Sequence, residues 1–191
     1  MERFRYRLTE TQKQEIAENL IISLNSNEKL SRDSVLFVTN WILTGPDEKV
    51  KAFFDVWDIV LKNYLPESRP ILFRSCNRRS TGKIASFTGR LEAARRFSKR
   101  TGFLIICDTN EALRMAHLDM PGDYQNSFFP LAQLMEKDAK LEDPRIPKSI
   151  YERYKGEDEY IMRVNLDRME LLKWCPSVSY THLRAHETGA Y

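Results

Sequence analysis

Apolar positions in the first third of the chain recur at helical spacing. Leu8, Ile16, Leu20, Ile21 and Leu24 fall about three and four residues apart, and Thr9 followed by acidic Glu10 suits a helix start. A second run, Val35-Leu36-Phe37-Val38 through Trp41-Ile42-Leu43, follows Ser31 and Ser34 as candidate caps and stops at Thr44-Gly45-Pro46. Pro46-Asp47-Glu48 then reads as the proline and acids of a first helical turn. It precedes a stripe made by Val50, Phe53, Phe54, Trp57, Val60, Leu61 and Tyr64. The pattern predicts two or three helices between Thr9 and about Leu65.

After Pro66 and Pro70 the texture changes to short β-like runs. Ile71-Leu72-Phe73-Arg74-Ser75-Cys76 and Ile84-Ala85-Ser86-Phe87-Thr88 are strand candidates, with Gly82 and Gly89 as turn residues. Leu91 to Phe97 is helical by pattern, and Phe103-Leu104-Ile105-Ile106-Cys107 is a continuous apolar run that suits a buried strand. Asn126 to Met135 and Lys148 to Tyr154 read as short helices or lids around the Pro121-Gly122-Asp123 turn. Tyr160 to Leu166 alternates apolar with polar, as a strand with one wet face does. Helices followed by mixed short strands place the chain in the α+β class, with a boundary near residue 66.

Composition narrows the function classes. The 191 residues are 42% hydrophobic and 30% charged with 7 Gly and 8 Pro, which excludes collagen-like, low-complexity and disordered readings. No apolar run approaches the roughly 20 residues of a membrane helix, and Met1 to Arg7 lacks the apolar stretch of a secretory signal. The expectation is a cytoplasmic protein, at least where it is made. Cys76, Cys107 and Cys175 form an odd set without C-x-x-C spacing, which argues against a disulfide framework and a zinc site. Charge is unevenly spread: Arg74 to Arg100 holds nine basic residues against one acid, whereas Asp108 to Glu159 holds twelve acids against seven bases.

The last stretch is set apart from the fold. Val178-Ser179-Tyr180-Thr181-His182-Leu183-Arg184-Ala185-His186-Glu187-Thr188 resembles the in-frame translation of the mosaic-end adapter of transposase sequencing libraries. Residues 178–191 are therefore read as a non-native tail. His182 and His186 stand at an i, i+4 spacing that would otherwise suggest a metal site. With the tail set aside, only His117 is left and no metal is implied. The net charge of +3 survives removal of Arg184 and Glu187. The natural chain is expected to continue past Ser177.

Three features follow one another in an informative order: Arg74 inside a first strand, Ser86-Phe87-Thr88 inside a second, and Glu157-Asp158-Glu159 leading into a late strand. In order and context they resemble the mono-ADP-ribosyltransferases of the arginine, serine, glutamate type. The helix Leu91-Glu92-Ala93-Ala94-Arg95-Arg96-Phe97 and the apolar strand after it suit the same pattern. The resemblance covers about Ile71 to Leu166 and implies a split two-sheet catalytic domain over residues 67–177, behind a helical segment over residues 1–66. It departs from the family in a short gap between Arg74 and Ser86, in Ser75 where a glycine is usual, and in Thr88 as the second hydroxyl residue.

The resemblance implies transfer of ADP-ribose from NAD to a macromolecular acceptor with release of nicotinamide, NAD being a substrate. Arg74 is then the phosphate ligand, since a guanidinium offers a rigid two-pronged donor where a lysine is a point charge. Ser86 and Thr88 support the dinucleotide site. Cleavage of the nicotinamide–ribose bond leaves cationic character on the sugar, as in glycoside hydrolysis, and a fixed carboxylate stabilises it. That role falls to Glu159, with Glu157 orienting the acceptor. Residues two apart on a strand share a face, so both carboxylates are expected to face the cleft.

The family setting is a compact bacterial-style toxin, effector or defence enzyme acting in a cytoplasm, including that of a target cell into which it is delivered. It admits a neutralising antitoxin or immunity partner. The acceptor stays open among a protein arginine, another side chain and a nucleic acid drawn in by the basic stretch. Two rival readings stand beside this one. An NAD glycohydrolase would use the same site with water as acceptor, and a non-catalytic nucleic-acid-binding module would use Arg78, Arg79, Arg95, Arg96, Lys99 and Arg100. The stretch Pro121 to Phe129, rich in aromatic and amide groups, is either a cover for nicotinamide or adenine or a packed loop.

Overall fold

A computed structural model describes residues 7–45, 48–76, 84–98, 102–110, 128–163 and 172–173. Three helices open the chain, α1 (Glu10–Asn25), α2 (Arg32–Leu43) and α3 (Lys51–Asn63). They are followed by β1 (Ile71–Cys76), β2 (Ile84–Thr88), α4 (Leu91–Ser98), β3 (Phe103–Asp108), β4 (Phe128–Phe129), α5 (Leu131–Ala139), α6 (Lys148–Tyr154), β5 (Glu159–Arg163) and β6 (Leu172–Lys173). Helices on an antiparallel sheet make the fold α+β.

The helix starts are chemically specified. Thr9 and Gln12 form a reciprocal capping box: the Gln12 amide donates to Thr9 Oγ1 at 3.2 Å and the Thr9 amide donates to Gln12 Oε1 at 3.0 Å. Ser31 caps α2, its hydroxyl accepting from the Ser34 amide at 3.1 Å. The third helix begins later than its proline and acids suggest. Glu48 spends its amide on the Gly45 carbonyl in a turn, and the first helical residue is Lys51, behind Val50 as cap. That turn carries Lys49 back under α2, where its Nζ donates to the Trp41 carbonyl at 2.8 Å.

The six strands lie in the order β4-β5-β2-β1-β3-β6, antiparallel throughout. β1 runs in register with β3 from Ile71↔Asp108 to Cys76↔Phe103, and β2 with β5 from Ile84↔Arg163 to Thr88↔Glu159. Between β1 and β2 the register reduces to the single pair Phe73↔Thr88. β5 is an interior strand, with β2 on one side and β4 on the other, and Tyr160 to Arg163 are all buried. The wet face expected of this strand is therefore absent over its described length. Its alternating face points instead at helices, where Arg163 Nη2 pairs with Asp58 of α3.

Two apolar clusters organise the interior. The larger joins Ile16, Leu20, Phe37, Trp41, Phe53, Trp57 and Leu61 of the helices to Ile84, Phe129 and Ile161 of the sheet. The smaller gathers Leu72, Ile105 and Cys107 from β1 and β3 with Ala85, Phe87, Phe128, Tyr160 and Met162 from β2, β4 and β5. Successive residues of β5 thus feed opposite clusters, Ile161 one and Met162 the other, as strand alternation requires. Cys76 and Cys107 are free thiols, and burial pushes Cys107 up to about 12. No helix of the described residues is long and apolar enough to cross a membrane.

Phe37 is fully buried, with ring centroids 5.7 Å from Phe53 and 5.1 Å from Trp57. Phe37→Ala is expected to lower the unfolding free energy by about 3–5 kcal/mol, through lost transfer energy and the cavity it leaves. Urea titration checks this as a fall in midpoint at unchanged slope.

Candidate functional site

β1 and β2 part company beside Arg74, and the side chain of Arg74 spans the place where they do. Its Nη1 donates to the Ser86 carbonyl at 2.7 Å. Arg74 as a residue is half-buried, and its Nε is a buried donor with no hydrogen-bond partner among the described residues. Burial pulls its pKa below the usual range, against the opposing effects of Cys76 and of the Glu159 carboxylate. Arg74 and Ser86 are thus brought together, through the backbone carbonyl of Ser86 and not through its hydroxyl.

Thr88 is buried and serves the turn before β5. Its hydroxyl donates to the Glu157 carbonyl at 2.5 Å and accepts from the Arg90 amide at 3.1 Å. The Gly89 amide adds a bond to the Asp158 carbonyl at 3.1 Å. The two segments run so close that a Cβ at Gly89 would meet the Asp158 carboxylate and, at 3.3 Å, the Tyr160 ring. Asp158 itself sits in the left-handed region with φ 47°, which L residues other than Asn and Asp rarely adopt.

That backbone conformation changes the relation between the two glutamates. Glu157 precedes β5 in a turn, and its amide donates to the Tyr154 carbonyl at 2.9 Å. The two-apart strand rule therefore does not apply to Glu157 and Glu159. The carboxylates still lie near enough to act on one another. Burial pushes Glu157 up to about 7, the Glu159 charge adds to the shift, and Arg96 and Arg153 oppose it. Arg96 also donates from Nη2 to the Gly156 carbonyl at 3.4 Å.

Glu159 heads β5, opposite Thr88, on the side of the sheet that faces the helices. Its Oε1 accepts from the Trp41 indole Nε1 at 3.1 Å. Lys49 completes the group: its ammonium stands 3.2 Å from the centroid of the Trp41 ring as well as donating to the Trp41 carbonyl. Burial lowers Lys49 to about 8, with Glu159 opposing that shift and Arg74 adding to it. Neither Trp41 nor Lys49 stands out in the sequence, where Trp41 is one residue of an apolar helical run and Lys49 carries no signal.

Other expected features separate. Phe128 and Phe129 are buried strand residues, one in each apolar cluster, so these two belong to the core and not to a cover over a ligand. Arg90, Arg95 and Arg96 are exposed in and beside α4. Arg78, Arg79, Lys83, Lys99, Arg100, His117, the rest of the Pro121 to Phe129 stretch, Cys175 and the 178–191 tail lie outside the described residues.

The raised Glu157 couples stability to pH. Its folded pKa of about 7 exceeds the ordinary 4.5, so the folded state holds this proton more tightly than the unfolded one. The stability contributed by the neutral carboxyl is present below about 4.5 and lost as pH rises through 7. Glu157→Gln is accordingly expected to gain thermal stability relative to the unaltered chain at pH 8 and to lose that advantage at pH 4. Melting temperatures of the two proteins across this range check it.

No family model, curated protein or solved structure matches this chain.

Proposed function

We propose that this chain cleaves the nicotinamide–ribose bond of NAD and transfers ADP-ribose to a macromolecular acceptor. The reading rests on one observation: Arg74 of β1 bonds to Ser86 of β2 across the seam between those strands and is near enough to Glu159 of β5 for the two charges to act on one another. Glu159 stands in register with Thr88. These residues lie far apart in sequence and were singled out for this chemistry by their order alone. The lone β1–β2 register pair and the apolar cluster shared by strands on both sides of it support a sheet split into β4-β5-β2 and β1-β3-β6 leaves.

The donor set suits a dinucleotide. A guanidinium carries five N–H donors, and the Ser86 carbonyl takes one of Arg74's, leaving among them the buried, unpartnered Nε. A buried donor without a partner costs about 1–3 kcal/mol, a cost that an anionic phosphate oxygen would relieve. NAD supplies the bond to be broken and a pyridine leaving group. Glu159 supplies a fixed negative charge beside the cationic sugar, worth more in a half-buried site than in water. Glu157, raised to about 7 and near Glu159, orients the acceptor and is placed to hold its proton at a pH near neutrality.

The test is nicotinamide release from NAD by the full chain and two variants at equal folded concentration. Glu159→Gln is expected to lower kcat by about 10²–10³-fold, the usual cost of removing one preorganised electrostatic partner of the transition state. Arg74→Ala is expected to act mainly on KM for NAD. A folded chain that neither releases nicotinamide nor binds NAD overturns the reading. Salt-dependent nucleic-acid binding that persists in Glu159→Gln would then favour the binding module.

A further inference from the structure

We propose that Trp41 of the N-terminal helices is the positioning residue for Glu159, so that the helical segment forms part of the reactive site. This rests on the NAD-cleaving reading above. A carboxylate does its work at a cationic sugar only if it is held still, and a glutamate side chain has three rotatable bonds to immobilise. One oxygen of Glu159 is held by the Trp41 indole at 3.1 Å, and among the described residues the other accepts no hydrogen bond. That leaves Oε2 for a sugar hydroxyl.

The donor is itself rigid. Trp41 is 1% exposed and wedged among aromatic rings, edge-on to Phe53 at 5.8 Å, Phe54 at 6.0 Å and Trp57 at 5.6 Å between centroids. Lys49 closes the remaining side, its Nζ over the indole and bonded to the Trp41 carbonyl. An indole has a single N–H and no lone pair to offer, so it can only donate, and its one donor goes to the carboxylate. The neighbouring Trp57 provides the contrast. It is equally buried in the same cluster, yet its Nε1 has no hydrogen-bond partner among the described residues.

The experiment uses the full chain and compares Trp41→Phe with Trp57→Phe, which remove the same atoms from the same cluster. Trp41→Phe is expected to lower kcat for nicotinamide release about tenfold or more while KM for NAD stays within about twofold, the loss expected for a hydrogen bond to a charged group. Trp57→Phe is expected to lower stability but keep kcat per folded molecule within about twofold. Equal kcat losses in the two variants, or none in Trp41→Phe, overturn the proposal. If Trp41→Phe fails to fold, benzothienylalanine at position 41 keeps the ring shape and replaces the N–H by sulfur, and the same kcat criterion applies. The ¹⁵N–¹H signal of the Trp41 indole is read in parallel: it is expected to move in Glu159→Gln, and a signal that stays in place overturns the clamp. That reading holds even where the unaltered chain neither releases nicotinamide nor binds NAD, a result that would sink the NAD-cleaving function by itself.

Discussion

The sheet is held at its weakest point by a side chain. β1 and β2 share one register pair, so backbone groups that a continuous ladder would satisfy are left to find other partners. The Ser86 carbonyl finds the Arg74 guanidinium at 2.7 Å. That bond binds one half of the sheet to the other where the main chains diverge. It also explains why a long cation sits half-buried in a strand whose alternate residue Leu72 is fully buried. Thr88 and Glu159 beside the seam are set by the ladder of β2 with β5, which runs unbroken from Ile84↔Arg163 to Thr88↔Glu159.

Around that point the structure tolerates charge that burial penalises. Lys49 is lowered to about 8 and Glu157 raised to about 7, each chiefly because it is withdrawn from water. Elsewhere the described charged residues are mostly exposed and form short-range helix-surface pairs such as Lys51 with Asp55 and Lys140 with Glu136, which contribute little. A cluster of ionisable groups withheld from solvent is where reactive sites are found in folded proteins. Here Glu159 is coupled electrostatically to Arg74, Lys49 and Glu157, although the four residues come from two strands and two turns.

Much of this architecture is visible in local patterns, and the failures have local physical causes. β1, β2, β3, α4 and α6 are predicted closely because apolar periodicity and turn residues bound them. The start of α3 is displaced because Glu48 closes a turn on Gly45, using the capping capacity that the proline and acids advertise. β5 shows no wet face because Ile161 and Arg163 meet the helices on one side and Tyr160 and Met162 enter the second apolar cluster on the other. Glu157 and Glu159 do not share a strand face because Asp158 enters the left-handed region, which no spacing rule reveals. Trp41 and Lys49 are invisible for a different reason. Their partner Glu159 lies more than a hundred residues away, and neither a buried tryptophan nor a turn lysine carries a signal of what it will meet.

The same long-range contact bears on what the helices are for. A boundary near residue 66 follows from the change of texture at Pro66, yet the larger apolar cluster crosses it, joining Trp41, Trp57 and Leu61 to Ile84, Phe129 and Ile161. Burial of that shared surface, at roughly 25 cal/mol per Å² of apolar area, ties helices and sheet into one packed interior. The alternation of β5 then has a direct consequence. With Ile161 committed to the helical cluster, Glu159 two residues earlier and Arg163 two residues later must face the same helices. There the first finds Trp41 and the second finds Asp58. The polar partners of β5 are therefore set by the same geometry that packs its apolar residue.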